Sequence, residues 1–372
     1  MTLALHSSGL GKVMLLTKPL VSFPAGGREQ LCKLNHDVLK SIYGGGMVLF
    51  ELPIERQIGA KKYINAFRGH IDGLNEVSIY RALNTINTNN IDKVFVDGSN
   101  LGEFVRQIKL RYPVVEVITF FHNVEMRFFW GALKQSKSIR AVAVFIANYM
   151  AERKAAKYSN KIICLNERDS RLLQALYGRS ATYISPMAVP DKLPSDYEAF
   201  IKPDVEPYAL FVGGNFYANR DGITWFVKHV APRVGIKICV VGKGFERFKD
   251  ELELDGRVEV IGAVDSLSEW YLKAHFVIAP IFDGSGMKTK VAEALMFGKK
   301  VIGTPEAFSG YEDIVNIAGR VCNSADEFVL AIEEAANSEI LPFDDELRAL
   351  YERYYSYSAA RSRFEKILGF VE

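Results

Sequence analysis

The chain has 372 residues, 49% of them hydrophobic, with a mean hydropathy of +0.03 and a formal net charge of +2. That length predicts two domains rather than one core, and the composition excludes a disordered chain. No apolar run approaches the ~20 residues needed to span a bilayer. The first residues lack a basic start, an apolar run and a small-residue cleavage site, so no secretory leader is expected. Cys32, Cys164, Cys239 and Cys322 are scattered without paired-ligand spacing, which predicts buried thiols in a reducing cytoplasm rather than disulfides or a metal centre. Residues 1–200 carry 26 Lys/Arg against 17 Asp/Glu, and the remainder carries 20 against 27. A basic first half predicts an anionic ligand or surface. Zinc-finger, aromatic RNA-binding and helix-turn-helix signatures are absent, so nucleic acid is not an expected partner.

In the first half strands and helices alternate. Val13–Thr17 reads as a strand, followed by the loop Pro19–Gly27, a helix over Glu29–Tyr43 and a strand at Met47–Leu52. Residues 57–90 are more polar, with helical segments. Lys93–Val96 is a strand ending in Asp97-Gly98-Ser99-Asn100, and Leu101–Arg111 an amphipathic helix. Val114–Phe121 is a strand ending in His122-Asn123-Val124-Glu125, and a long helical tract covers 136–158. Lys161–Leu165 and Thr182–Ser185 read as strands around a helix at Glu167–Leu176. Such alternation predicts an α/β fold with a parallel, doubly wound sheet.

Met187–Pro207 holds Pro190, Pro194, Pro203 and Pro207 amid polar residues, the composition of a linker. The pattern then restarts with strands at Tyr208–Val212, Ile236–Val241 and Val258–Ile261, and helices at Ile223–Ala231 and Leu267–Ala274. The tail from Phe343 is rich in Tyr and Arg and reads as helical. In parallel α/β sheets ligands sit at the carboxyl ends of strands. The loops there are Gly213-Gly214-Asn215, Gly242-Lys243-Gly244, Gly262-Ala263-Val264 and Pro280–Lys290. A lone Gly-x-Gly is a weak signal, but four such loops after four successive strands carry weight.

The stretch Phe276–Thr304 is the most informative. A buried strand, Phe276–Ala279, is broken by Asp283-Gly284-Ser285-Gly286, since glycine admits backbone angles other residues avoid. A helix is expected from Met287, with Val291, Ala294 and Leu295 on one face and Gly298 as its C-terminal cap. Its N-terminus offers unpaired N–H groups and a partial positive charge. Lys288 and Lys290 in the first turn oppose that dipole, which predicts an anion, most simply a diphosphate. Glu293, one turn on, can accept hydrogen bonds from sugar hydroxyls.

Gly284-Ser285-Gly286-Met287-Lys288-Thr289-Lys290-Val291-Ala292-Glu293-Ala294, followed by Gly298, Val301 and Ile302, resembles the donor-binding signature of family-4 glycosyltransferases. The resemblance implies the GT-B fold, two Rossmann-like domains facing each other across a cleft. It implies domains at 1–195 and 205–345, with 346–372 crossing back to the first. Many members carry two glutamates with seven residues between them; the second matches Glu293, the first falls on Ser285, and Asp283 is the nearest carboxylate. Phe211-Val212-Gly213-Gly214 with Asn219, and Val240-Val241-Gly242-Lys243-Gly244, are similar to the family's donor-domain motifs, and Val264 would line the base pocket. Gly286, Met287, Lys288, Thr289 and Lys290 would hold the diphosphate. Gly26-Gly27 matches a glycine pair that lets the first loop approach the transferred sugar. His122, in a motif similar to the family's HNVE, would meet donor sugar or acceptor, and histidine exchanges a proton near neutrality.

What the resemblance implies is a retaining transfer from a nucleotide-diphospho sugar to a glycan or lipid-linked glycan in cell-surface polysaccharide assembly. The nucleotide sugar is a co-substrate, no other cofactor is expected, and no Asp-x-Asp motif calls for a metal. Two alternatives stay open: a sugar-nucleotide epimerase of the same fold, and a non-catalytic nucleotide-sugar-binding partner of a transferase. Between Arg127 and Lys161 stand eight cations (Arg127, Lys134, Lys137, Arg140, Arg153, Lys154, Lys157, Lys161) against Glu152, opened by Phe128, Phe129 and Trp130. With the resemblance, this tract is expected to dock peripherally on an anionic cytoplasmic leaflet. Composition alone equally allows a solvated helix whose Val142, Phe145 and Ile146 pack on the domain.

Overall fold

The computed structural model describes residues 11–22, 26–54, 61–136, 138–201, 206–253, 256–338 and 342–370. The leader reading, Phe23–Ala25, Pro203 and Lys137 therefore lie outside the described residues, as does the side chain of Lys134. The chain divides into two compact units, residues up to 186 joined by those from 360 on, and residues 187–359.

The first unit is built on β1 (Val13–Thr17), β2 (Met47–Glu51), β3 (Lys93–Asp97), β4 (Glu116–Phe121), β5 (Lys161–Cys164) and β6 (Tyr183–Ile184). They form one parallel sheet in the order β2-β1-β3-β4-β5-β6. All five residues of β1 are buried, as expected of a strand covered by helices on both faces. The helix Tyr357–Leu368 ends in this unit, where Phe364 stacks on Phe95 at 5.5 Å between ring centroids.

The second unit carries β7 (Tyr208–Val212), β8 (Lys237–Val241), β9 (Val258–Gly262), β10 (Phe276–Ala279), β11 (Val301–Gly303) and β12 (Gly319–Val321). Its parallel order is β12-β11-β10-β7-β8-β9. Strand order reverses between β1 and β3 in one sheet and between β7 and β10 in the other. At such switch points adjacent loops part and leave a crevice.

The structure departs from the sequence expectations in a few places. The helical tract expected over 136–158 is the helix Ile139–Tyr158, started by Ser138, which accepts from the Ala141 N–H at 3.2 Å, and a separate helix, Glu125–Ser136, precedes it. The helix expected from Ile223 starts at Tyr217, and Gly222 lies inside it. A Cβ there would lie 1.9 Å from the Pro280 carbonyl, so glycine lets this helix approach the end of β10. The three-residue edge strand β12 and the helix Ala325–Asn337 were not anticipated.

Candidate functional site

In the second unit β7 and β10 are hydrogen-bonded neighbours, so the loops 213–216 and 280–288 leave the sheet side by side. Gly213 donates to the Val241 carbonyl at 3.0 Å, and a Cβ on Gly242 would lie 1.8 Å from the Gly213 oxygen. These two glycines pack the β7 and β8 loops together. Asn219 donates from Nδ2 to the Gly214 carbonyl at 2.9 Å and accepts from Lys290 Nζ on Oδ1 at 3.0 Å. Lys290 is buried, its Nζ 4.3 Å from the Phe211 ring centroid. Burial pulls its ammonium down to about 7, Glu293 partly offsets this, and Lys288 adds to the lowering. The Lys243 side chain is exposed while its carbonyl accepts from the Asn215 N–H at 3.0 Å. Val264 follows β9 half-buried, beside Glu246, which accepts from Gly244 and Ala263 N–H groups at 2.7 Å.

The helix that follows β10 runs over Thr289–Met296, so it starts two residues later than expected. Gly286 is left-handed (φ +64°) and Lys288 extended (φ −93°, ψ 115°), which places Lys288 before the first turn rather than in it. Lys290 and Thr289 do stand in that turn. Lys288 Nζ donates to Glu306 Oε1 at 2.9 Å, Gly286 O at 3.2 Å and Ser285 O at 3.4 Å. Its carbonyl accepts from the Tyr311 hydroxyl at 2.9 Å. Met287 is buried under Gly310, where a Cβ would lie 2.6 Å from its Cγ. Glu293 is buried, accepts from the Tyr271 hydroxyl at 3.0 Å, and burial raises its carboxyl above the ordinary range. Asp283 is exposed, its Oδ1 accepting from the Gly284 N–H at 2.7 Å.

The first unit places His122, Gly26 and Gly27 at the carboxyl end of its own sheet. Gly26 precedes the helix Gly27–Tyr43 with extended backbone, and a Cβ there would meet nothing within 4 Å. His122 is buried with Nε2 2.6 Å from Asp97 Oδ1, and its Nδ1 has no partner. Asp97 also accepts from Asn35 Nδ2 and Thr17 Oγ1, both at 2.8 Å. Burial raises the Asp97 carboxyl, but His122 outweighs it with the help of Cys32 and Asn35, leaving it well below its usual range. Cys32, Asp97 and His122 offer ligand atoms within 4.8 Å of one another. Those atoms are directed at each other, and burial pushes the Cys32 thiol far up, so the set fits a hydrogen-bond cluster better than a cation. Next to it Glu152, fully buried, accepts from the Glu125 N–H at 2.9 Å and the Tyr177 hydroxyl at 2.8 Å; burial raises its carboxyl to about 7.

Asp97, Glu306, Tyr271 and Glu152 were given no role on sequence grounds. Asp97 had a signal, an acid closing an apolar strand next to Gly98. The other three find their partners only through tertiary packing.

Residues 206–338 match the family model described as glycosyl transferases group 1. Among solved structures the chain is similar to a sucrose-phosphate synthase from Thermosynechococcus elongatus, with TM-score 0.72 and 15% identity over 96% of this chain and 98% of that one. It is similar to HepE from Anabaena, solved in complex with UDP, with TM-score 0.66 and 13% identity over 97% and 100%. WaaG, a glycosyltransferase involved in lipopolysaccharide biosynthesis, gives 0.61 and 17% over 94% of each chain. No curated protein sequence matches.

Proposed function

We propose that this chain, a glycosyltransferase with the GT-B fold, moves a sugar from a nucleotide-diphosphate donor to a hydroxyl of a glycan or lipid-linked glycan, with retention at the anomeric carbon. The observation that carries the reading is the meeting of Asn219, Lys290 and the start of helix Thr289–Met296 at the β7/β10 switch, within the matched residues 206–338. Free N–H groups of that helix and the buried Lys290 ammonium suit a diphosphate, and Glu293 suits the ribose hydroxyls. HepE has been solved with UDP-glucose, which supports a uridine diphosphate sugar as donor. The WaaG likeness supports a role in cell-surface polysaccharide assembly.

In the transfer, the bond from C1 to the phosphate oxygen breaks while a bond from C1 to the acceptor oxygen forms on the same face, and the acceptor proton passes to the departing diphosphate. Lys290 and the helix dipole stabilise the charge that develops on that leaving group. His122, whose Nε2 is held by Asp97, leaves a buried Nδ1 without a partner, an acceptor that a sugar hydroxyl would satisfy. Peripheral docking on an anionic membrane would bring a lipid-linked acceptor to the enzyme. The test is calorimetric titration with a panel of nucleotide-diphosphate sugars, followed by product analysis with and without glycan acceptors. Failure to bind any of them refutes the reading, and an altered free sugar nucleotide formed without acceptor makes the chain an epimerase.

A further inference from the structure

The loop His122-Asn123-Val124-Glu125 joins β4 to the helix Glu125–Ser136 and is anchored by Val124, buried with Phe121, Ala155 and Leu173. An acid at a helix start commonly serves the free N–H groups there. Here Glu152 does so instead, accepting from the Glu125 N–H at 2.9 Å and the Met126 N–H at 3.4 Å. The Glu125 carboxyl is left over. Only 6% of the residue is exposed, yet among the described residues its carboxyl has no hydrogen bond and no ion pair. The cations whose fields reach it are engaged by another acid, with Lys18 Nζ and Arg28 Nη2 lying 2.8 and 3.2 Å from Asp72 Oδ2. Burial raises the Glu125 carboxyl above its ordinary range, and Arg28 opposes that rise.

Glu125 is not alone. His122 Nδ1 and Asn123 Oδ1 of the same loop, and Arg28 Nε, are also buried without a partner. Buried polar groups are nearly always bonded, so a cluster of unbonded ones asks for a ligand that completes it. With Nε2 donating to Asp97, His122 Nδ1 is an acceptor, and the loop therefore offers acceptors only. A phosphate, itself an acceptor, has no hydrogen to share with them. An ammonium would satisfy them but be repelled by Arg28 and Lys18. A hydroxyl both donates and accepts, so it serves the carboxyl, the imidazole and Arg28 Nε alike.

We infer that Glu125 is a sugar-binding carboxyl: it accepts a hydrogen bond from a hydroxyl of a sugar held at the carboxyl end of the first unit's sheet. The inference rests on the transfer reading given above and adds a binding residue to it. Two sugars have this chemistry, the one being transferred and the one that accepts it. A buried carboxyl without a partner costs folding stability, and a bound hydroxyl supplies the missing hydrogen bond. The empty protein therefore carries a destabilising group that only the ligand relieves, the opposite of what a structural glutamate does.

The experiment compares wild type with Glu125→Gln, which keeps the size of the side chain and removes its charge. Without ligand, the variant's melting temperature should be unchanged or higher by about 2–4 °C. UDP, which carries neither sugar, should bind both proteins within about twofold. If the transferred sugar is the partner, calorimetry should show UDP-glucose binding the variant about tenfold more weakly or worse, the scale of one hydrogen bond to a charged group. If the accepting sugar is the partner, UDP-glucose binding is kept and the acceptor KM rises by about tenfold or more. That arm follows UDP release from UDP-glucose against methyl glucoside, methyl galactoside and N-acetylglucosamine. A melting temperature lowered by more than about 2 °C overturns the inference and makes Glu125 a support of the fold. Wild-type behaviour in both sugar arms overturns it too. A wild type that binds neither UDP nor UDP-glucose refutes the donor reading instead, and the melting comparison, which needs no ligand, still judges Glu125.

Discussion

Asp97 Oδ1 and His122 Nε2 lie 2.6 Å apart at the carboxyl ends of the adjacent strands β3 and β4. The contact engages Nε2 and leaves Nδ1, also buried, without a hydrogen-bond partner. Asp97→Asn keeps the shape but offers an amide in place of the acceptor, so the ring loses its fixed tautomer. Turnover should fall by roughly 10²-fold or more, with donor affinity kept within about threefold. His122→Ala should behave alike. Single-turnover kinetics beside donor titration makes the check; wild-type turnover in Asp97→Asn would leave His122 a packing residue.

Lys290 gives a pH prediction. Its ammonium, ordinarily near 10.5, is pulled by burial to about 7. Between those values the unfolded chain binds a proton that the empty folded protein does not, so this group's contribution to stability rises with pH across that window and is least below 7. A bound diphosphate favours the charged lysine. Donor binding should therefore take up a proton above pH 7, and affinity should fall with pH by at most about tenfold per unit. UDP-glucose, whose phosphates do not titrate there, is the probe, used at pH 6.5–8.5 in buffers of different ionisation heat. Lys290→Met should abolish the uptake, and no uptake in wild type would remove Lys290 from the phosphate site.

Glu293 and Tyr271 form a buried pair, with Tyr271 stacked on Phe297 at 4.9 Å. Glu293→Gln should weaken nucleotide-sugar binding by about 1–3 kcal/mol through loss of a charged acceptor. Tyr271→Phe removes only the supporting hydroxyl and should cost less. Equal affinity in a folded Glu293→Gln variant would take the ribose role away from Glu293.

Much of this site was legible because its residues follow one another along the chain. The glycines, Thr289, Lys290 and Glu293 lie within one loop and one helix, where spacing alone sets their faces. Contacts between segments distant in sequence were not legible. Asn219 reaches Lys290 over 71 residues and Lys288 reaches Glu306 over 18, and neither pairing leaves a periodic trace. Strand positions were found where burial is complete, as in β1 and β10, and missed at the edge, where β12 is too short and too exposed to stand out. Helix starts were misplaced where glycine serves close packing, as at Gly222, or a left-handed turn, as at Gly286.

The last prediction concerns the membrane. Of the eight cations in the basic tract, Lys154 bonds Glu103 at 2.6 Å and Lys161 bonds Glu116 at 2.9 Å, while Glu152 is buried and caps the helix Glu125–Ser136. Charge is thus thinner than the sequence implied. What the fold adds is a stripe along the helix Ile139–Tyr158: Ile139, Val142, Ile146 and Met150 are exposed, followed on the same face by exposed Arg153 and Lys157. Ile139 is 90% exposed, and Trp130, half exposed, leans on Phe145 at 5.8 Å. Apolar residues beside cations, with a tryptophan at their edge, suit the headgroup boundary of an anionic leaflet. Vesicle sedimentation should show binding to anionic but not neutral lipid, weakened by salt. Val142→Glu with Ile146→Glu should abolish it while leaving the melting temperature nearly unchanged, since both side chains are exposed. Arg153→Glu or Lys157→Glu should each weaken it by about 1 kcal/mol or somewhat more. If wild type ignores anionic vesicles at low salt, docking is refuted.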